Sequence, residues 1–207
     1  ENCHYVLLAV KPQVYRVVLA KIAPVCRPDS VFISIAAGIS GERIKKELGY
    51  DAKVIQVMPN TPVLVGCGAS ALSCFAPATQ EEFEQVQSIF AASGYAVQIK
   101  PEQMNDVIPI NGSSPAIFYY IAQIVVERAV ELGFDKDVAN NLICQAMIGS
   151  AKMMLESGKS HQELIDMVSS KGGTTLAMSA AMKDHQFKEA LLAGVDACIR
   201  RACELGE

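Results

Sequence analysis

Through the first hundred residues, short apolar runs alternate with stretches in which apolar positions recur every third or fourth residue. The runs lie at residues 5–10, 31–36, 53–58, 69–75 and 96–100. A brief apolar block bounded by turn residues reads as a strand buried on both faces. Between the blocks, Pro12 opens a helical stretch to about Ala23, and Ser40 caps a helix that runs to about Leu48. Thr79-x-x-Glu82 is a capping box, in which two side chains satisfy orphan backbone donors at a helix start. That helix is expected to run to about Ser93 and to stop at Gly94. Strands alternating with helices predict an α/β domain with a largely parallel sheet.

Beyond Pro101 the period changes, and residues 115–204 carry no strand signal. Ser113-Ser114-Pro115 combines a hydroxyl cap with a first-turn proline, so a helix is expected over 115–132, with Gly133 as its left-handed stop. Further helices are expected at about 137–156, after the capping box Ser160-x-x-Glu163, at about 175–183 and at about 187–205. The fold class is therefore α/β plus all-α, divided as residues 1–100 and 101–207. The 115–132 helix is apolar on most sides through Ile117, Phe118, Ile121, Ile124, Val125 and Val126. Such a helix must be buried all round. About a hundred helical residues cannot hide it alone, so a second subunit is expected to cover it.

Composition narrows the function classes. With 207 residues, 51 % of them hydrophobic, the chain can bury large cores and is not disordered. A net charge of −4 without a basic cluster argues against nucleic acid. No apolar run approaches the roughly 20 residues that a membrane span needs. The seven cysteines (3, 26, 67, 74, 144, 198, 203) form no CxxC pair, so neither a disulfide framework nor a thiolate zinc site is expected. Most of them are expected to be small buried hydrophobes in a reducing cytoplasm. His4, His161 and His185 read as surface residues, which leaves no basis for a metal site. A strand signal begins almost at Glu1, so the chain is expected to be part of something longer.

Four features could carry chemistry, each where a strand or loop meets a helix start. In open α/β sheets ligands bind there, at the carboxyl ends of strands. Ala9-Val10-Lys11-Pro12 follows the first run. It is either a plain strand end or a backbone edge beside a cofactor, with Lys11 near its ribose. Ile35-Ala36-Ala37-Gly38-Ile39 is either a tight turn or a place where a flat ring can approach the backbone. Met58-Pro59-Asn60-Thr61-Pro62 holds Asn60, a donor and acceptor together, between two prolines. Finally, Asn111-Gly112-Ser113-Ser114-Pro115 and Lys171-Gly172-Gly173-Thr174-Thr175 each open a helix. Both would present backbone N–H groups and hydroxyls at the positive end of a helix dipole, a setting for a carboxylate or phosphate.

In this order and spacing the segments resemble pyrroline-5-carboxylate reductase, whose pattern is similar to Ala-Val-Lys-Pro, Ala-Ala-Gly, Met-Pro-Asn-Thr-Pro, Ser-Gly-Ser-Gly-Pro-Ala and Gly-Gly-Thr-Thr. Ala151-Lys152-Met153-Met154 also resembles a family helix segment. The resemblance implies a partial Rossmann-type parallel-sheet domain followed by a helical dimerisation domain. It implies NADPH or NADH as cofactor, bound by Val10, Lys11, Pro12, Ala36, Ala37, Gly38 and Asn60. It implies a cyclic-imine carboxylate as small-molecule substrate, reduced to proline in the last step of its biosynthesis, and held by Asn111, Gly112, Ser113, Ser114, Gly172, Gly173, Thr174 and Thr175. Of these, Ser113, Ser114, Thr174 and Thr175 are the candidates to act on the ring nitrogen or carboxylate. It further implies a cytoplasmic homodimer, in some members assembled further. The sequence departs from the pattern at Asn105, Ile108, Asn111, Ser114, Ile117 and Lys171. No GxGxxG occurs, so the phosphate-binding fingerprint is expected upstream of Glu1, and the chain by itself is expected to bind dinucleotide poorly and to be inactive. Two alternatives stand beside the reductase: a related imine or hydroxy-acid oxidoreductase of the same design, and a non-catalytic dimeric paralogue.

Overall fold

The computed structural model describes residues 3–206. In chain order the elements are β1 (Tyr5–Leu8), α1 (Tyr15–Ile22), β2 (Val31–Ser34), α2 (Gly41–Leu48), β3 (Lys53–Met58), β4 (Gly68–Phe75), α3 (Gln80–Ala91), β5 (Gly94–Gln98), α4 (Ser114–Glu131), α5 (Lys136–Glu156), α6 (His161–Met167), α7 (Thr174–Asp184) and α8 (Phe187–Gly206). The strands form one sheet in the order β1-β2-β3-β4-β5. β1, β2 and β3 run parallel, β4 is antiparallel to β3, and β5 is parallel to β4. The reversal follows from the link between β3 and β4. It holds only a 3-10 turn, Thr61–Val65, whereas a parallel return needs a crossover of about a dozen residues or more.

Alternation along the strands divides the core. Phe32 and Val54 point to the face covered by α1 and α2, where Tyr15, Leu19, Ile44 and Leu48 meet them. Val31, Ile33, Ile55, Val57 and Leu72 point to the other face, onto Phe83 and Val86 of α3. Both faces are thus covered, as the continuous apolar runs require. The Tyr15 hydroxyl donates to the Leu8 carbonyl at 3.0 Å and pairs with Ser34 Oγ at 2.8 Å, tying α1 to the ends of β1 and β2.

Helix starts follow the sequence signals. Ser40 accepts from the Arg43 N–H, and both halves of the Thr79–Glu82 and Ser160–Glu163 boxes are formed. Three expectations need correction. Gly94 does not stop α3, which ends through Ala92 in right-handed geometry. Gly94 instead opens β5 at φ 144°, where a Cβ would collide with the Gly68 backbone. Second, α4 has no hydroxyl-capped start. A π-helical turn, Ile108–Gly112, leads into it, so the chain is already coiled before Pro115. Third, no cysteine is fully buried: Cys26, Cys74 and Cys198 are half-buried and the other four exposed, all as free thiols.

The chain divides into two compact units, Glu1–Pro115 with Val195–Glu207, and Ala116–Gly194. The division by element type at residue 100 differs from this division by packing, because the chain up to Pro115 and the end of α8 pack with the sheet. Among the described residues, every cluster of buried core residues lies in the first unit. In the second unit Phe118, Tyr119, Tyr120, Leu142 and Leu155 are exposed, while Val126 and Ala139 are buried. No helix of the described residues is long and apolar enough to cross a membrane.

Candidate active site

Because β1, β2 and β3 are parallel neighbours, their carboxyl ends open side by side along one sheet edge. The loops that follow carry Val10, Lys11 and Pro12, then Ala36, Ala37 and Gly38, then Asn60. Lys11 is exposed, and Val10, Pro12, Ala37 and Asn60 are half-exposed. The start of β4 and the 108–114 segment join the same edge, since Met58 pairs with Ala71 and Asn111 bonds to Met58 and Ala69. The sheet thus brings eleven of the expected site residues to one crest within the first unit: Val10, Lys11, Pro12, Ala36, Ala37, Gly38, Asn60, Asn111, Gly112, Ser113 and Ser114.

Asn60 and Asn111 hold that crest together. Asn111 is buried, and its Nδ2 donates to the Met58 carbonyl at 2.7 Å and the Ala69 carbonyl at 3.0 Å. Asn60 Oδ1 accepts from the Ala69 N–H at 2.9 Å, while its Nδ2 donates to the Asn111 carbonyl at 3.2 Å. The two amides and Ala69 close a ring that ties β3, β4 and the pre-α4 loop. Both amides donate inside the fold, while Asn111 Oδ1 is buried without a hydrogen-bond partner. Gly112 belongs to the same packing, since a Cβ there would approach Met58 Sδ to 3.2 Å.

Gly38 also proves to serve an internal contact. It sits at φ 77°, and a Cβ would overlap the Ala202 carbonyl oxygen and lie 2.9 Å from Leu205 Cβ. On the side where a Cβ of Gly38 would stand, this turn is filled by α8. Ser113 Oγ lies 3.4 Å from Cys198 Sγ, and Ser114 Oγ donates back to the Ile110 carbonyl at 2.8 Å.

The two expected anion sites differ. Before α4 the π turn consumes donors: the Asn111 N–H bonds to the Val107 carbonyl and the Ser113 N–H to the Ile108 carbonyl. Those two N–H groups are therefore committed within the chain ahead of α4. In the second unit, α7 keeps an uncapped N-terminus. Gly172 turns at φ 74°, and Gly173 is the N-cap and has no side chain to cap with. The N–H groups of the first turn, at Thr174 and Thr175, therefore lack intrahelical acceptors, and Thr174 is exposed. Ser170 braces the loop, its carbonyl accepting from the Gly173 N–H at 2.9 Å.

Sequence reasoning missed Arg43, Cys198 and Ala202, which pack against these loops. The small residues Cys198 and Ala202, one turn apart, were the available signal for a close helix approach. Among the described residues no cluster of His, Cys, Asp and Glu could hold a metal.

Comparison with known proteins agrees with this architecture. The family model for pyrroline-5-carboxylate reductase dimerisation matches residues 101–205. The chain is 34 % identical over 202 residues to the pyrroline-5-carboxylate reductase of Escherichia coli, covering 98 % of this chain and 75 % of that protein. It is 37 % identical over 204 residues to the Haemophilus influenzae enzyme, covering 97 % and 74 %. The crystal structure of Plasmodium falciparum pyrroline carboxylate reductase with NADP bound superposes with a TM-score of 0.95 at 28 % identity, covering 99 % of this chain and 78 % of that one.

Proposed function

The chain belongs to the pyrroline-5-carboxylate reductase family, and from that membership we propose which of its residues serve each part of the reaction. It catalyses the NAD(P)H-dependent reduction of the C=N bond of 1-pyrroline-5-carboxylate to L-proline. The bound cofactor supplies the hydride.

The crest left by β1, β2 and β3 fits a nicotinamide cofactor, because parallel strand ends with half-exposed backbone open side by side there. Val10, Lys11, Pro12 and Ala37 form its cofactor wall, with exposed Lys11 facing a ribose or phosphate oxygen and Ala36, buried in the core, supporting them from behind. Gly38, Asn60 and Asn111 shape that wall from behind, through α8 and Ala69. Ser113 and Ser114 orient the ring, since each hydroxyl retains lone pairs after the bonds it makes. The substrate carboxylate is held by the first turn of α7. Its uncapped N–H groups and the Thr174 and Thr175 hydroxyls give an anion several donors at the positive end of a helix. The uncapped start of α7 is the observation that carries this assignment.

The protein works as a homodimer through its helical unit, supported by the match to a dimerisation model and by the exposed apolar residues of α4 and α5. Seven unpaired thiols support a reducing, cytoplasmic setting.

The test is NADPH oxidation with 1-pyrroline-5-carboxylate by the full-length protein, unaltered and as Thr175→Val. Losing one hydroxyl contact of a charged group should raise KM for the imine by about tenfold, with NADPH affinity unchanged. An unchanged KM would remove α7 from the substrate site. Absence of turnover in protein that binds NADPH would favour a non-catalytic paralogue.

A further inference from the structure

The end of α8 touches two parts of the crest at once. On one side, Arg43 Nη1 donates to the Leu205 carbonyl at 3.2 Å and the Gly206 carbonyl at 2.6 Å. These are among the last four carbonyls of the helix, which have no intrahelical donor and carry the negative end of its dipole. Beside them the Ala202 carbonyl fills the space over Gly38. The Arg43 backbone is itself held, its main-chain N–H donating to Ser40 Oγ at 3.2 Å. On the other side, Cys198 Sγ meets Ser113 Oγ at 3.4 Å, and Asn105 Nδ2 donates to Cys203 Sγ at 3.5 Å. Between the two, buried Ala202 packs with Met58, Ala71, Met104 and Ile108.

We propose that residues 198–206 of α8 act as a strut that sets the turn after β2 and the loop before α4 at a fixed distance, with Arg43 as the positioning residue that anchors it. The proposal rests on the reading above, in which the first segment lies against the cofactor and the second orients the ring. Hydride transfer requires donor and acceptor carbons in near-attack geometry, and a displacement of about 1 Å can cost on the order of a hundredfold in rate. The strut joins the two segments directly. Its loosening changes their relative placement while leaving each able to bind, so kcat is the quantity it controls.

The experiment is steady-state kinetics and NADPH binding on Arg43→Ala, Arg43→Lys and Lys46→Ala in the full-length protein, Lys46 being exposed on the same helix. Arg43→Ala should lower kcat by about tenfold or more while the NADPH Kd moves less than about threefold. Arg43→Lys keeps a cation and a donor for the helix end and should recover most of kcat. Lys46→Ala should match the unaltered protein. If Arg43→Ala fails to fold, the other end of the strut decides. There Cys198→Ser keeps a partner for Ser113 and should retain kcat, while Cys198→Ala should lose it. Unchanged kcat in Arg43→Ala, or equal kcat in the two Cys198 variants, overturns the strut. An unaltered protein without turnover on 1-pyrroline-5-carboxylate removes the premise instead, and the strut with it.

Discussion

At the scale of single residues, the crest depends on buried amides more than on groups facing the solvent. Asn111 stands where the family pattern has serine. Its amide supplies two hydrogens, and both are used, to the Met58 and Ala69 carbonyls. Removing them strands two acceptors next to a buried position, and each stranded acceptor costs roughly 1–3 kcal/mol. Asn111→Ala should therefore lower unfolding stability by about 2 kcal/mol or more, measured as a drop in the urea midpoint at constant slope. Asn111→Ser has one hydrogen to give and should fall between. An alanine variant as stable as the parent would mean that the amide ring around Ala69 contributes nothing. This departure from the pattern is thus a structural tether, which the sequence could not reveal. Asn60 was legible as a fixed amide between two prolines. Its partners were not, because they lie 9 and 51 residues away in the chain. Gly38 was legible as a residue chosen for smallness, but what approaches it is α8, from the far end of the sequence.

At the scale of elements, local signals decided several helix ends but not the end of α3, where Gly94 opens β5 instead. The Ser40, Thr79 and Ser160 caps form as read, and Gly133 turns at φ 92° as a left-handed stop. Two further features escaped. The antiparallel β4 could have been foreseen from its link, too short for a crossover. The π turn before α4 could not, because Ser113-Ser114-Pro115 also reads as an ordinary helix start. Glu82 shows how a cap couples elements. Burial pushes its carboxyl up, but the Lys53 ammonium of β3 at 2.5 Å and the Thr79 donors outweigh this and leave it below its ordinary 4.5. A carboxylate with a depressed folded pKa contributes stability above its unfolded pKa and loses it as pH falls through the folded value. The urea midpoint should thus decline as pH drops below about 4.5, and Glu82→Gln should remove that part of the decline. Equal acid slopes in the two proteins would show that the carboxylate is not coupled to folding.

At the scale of the whole molecule, the two units differ in how they are stabilised. The first has a sheet with buried side chains on both faces. The second, among the described residues, has no such cluster, and an apolar hollow of about 710 Å³ opens between α5 and α6, with Ala146, Gly149, Met153, Met154, Leu164 and Val168 on its walls. Small residues on α5 and flexible methionines make a surface that another helix can approach closely and fill. Apolar surface of this extent is what monomers avoid and oligomers use. If a second copy covers it, placing a charge there must weaken association, because an unpaired carboxylate would have to leave water. Met154→Glu keeps α5 intact, since glutamate is a good helix former, and Met154 is 49 % exposed in the single chain. Sedimentation should show a dimer for the parent at micromolar concentration and a shift toward monomer for Met154→Glu. Turnover should fall with the dimer fraction, because the helical unit that carries Thr174 and Thr175 has no buried core of its own to hold their loop in place. A variant that stays dimeric with full turnover would move the interface away from this hollow.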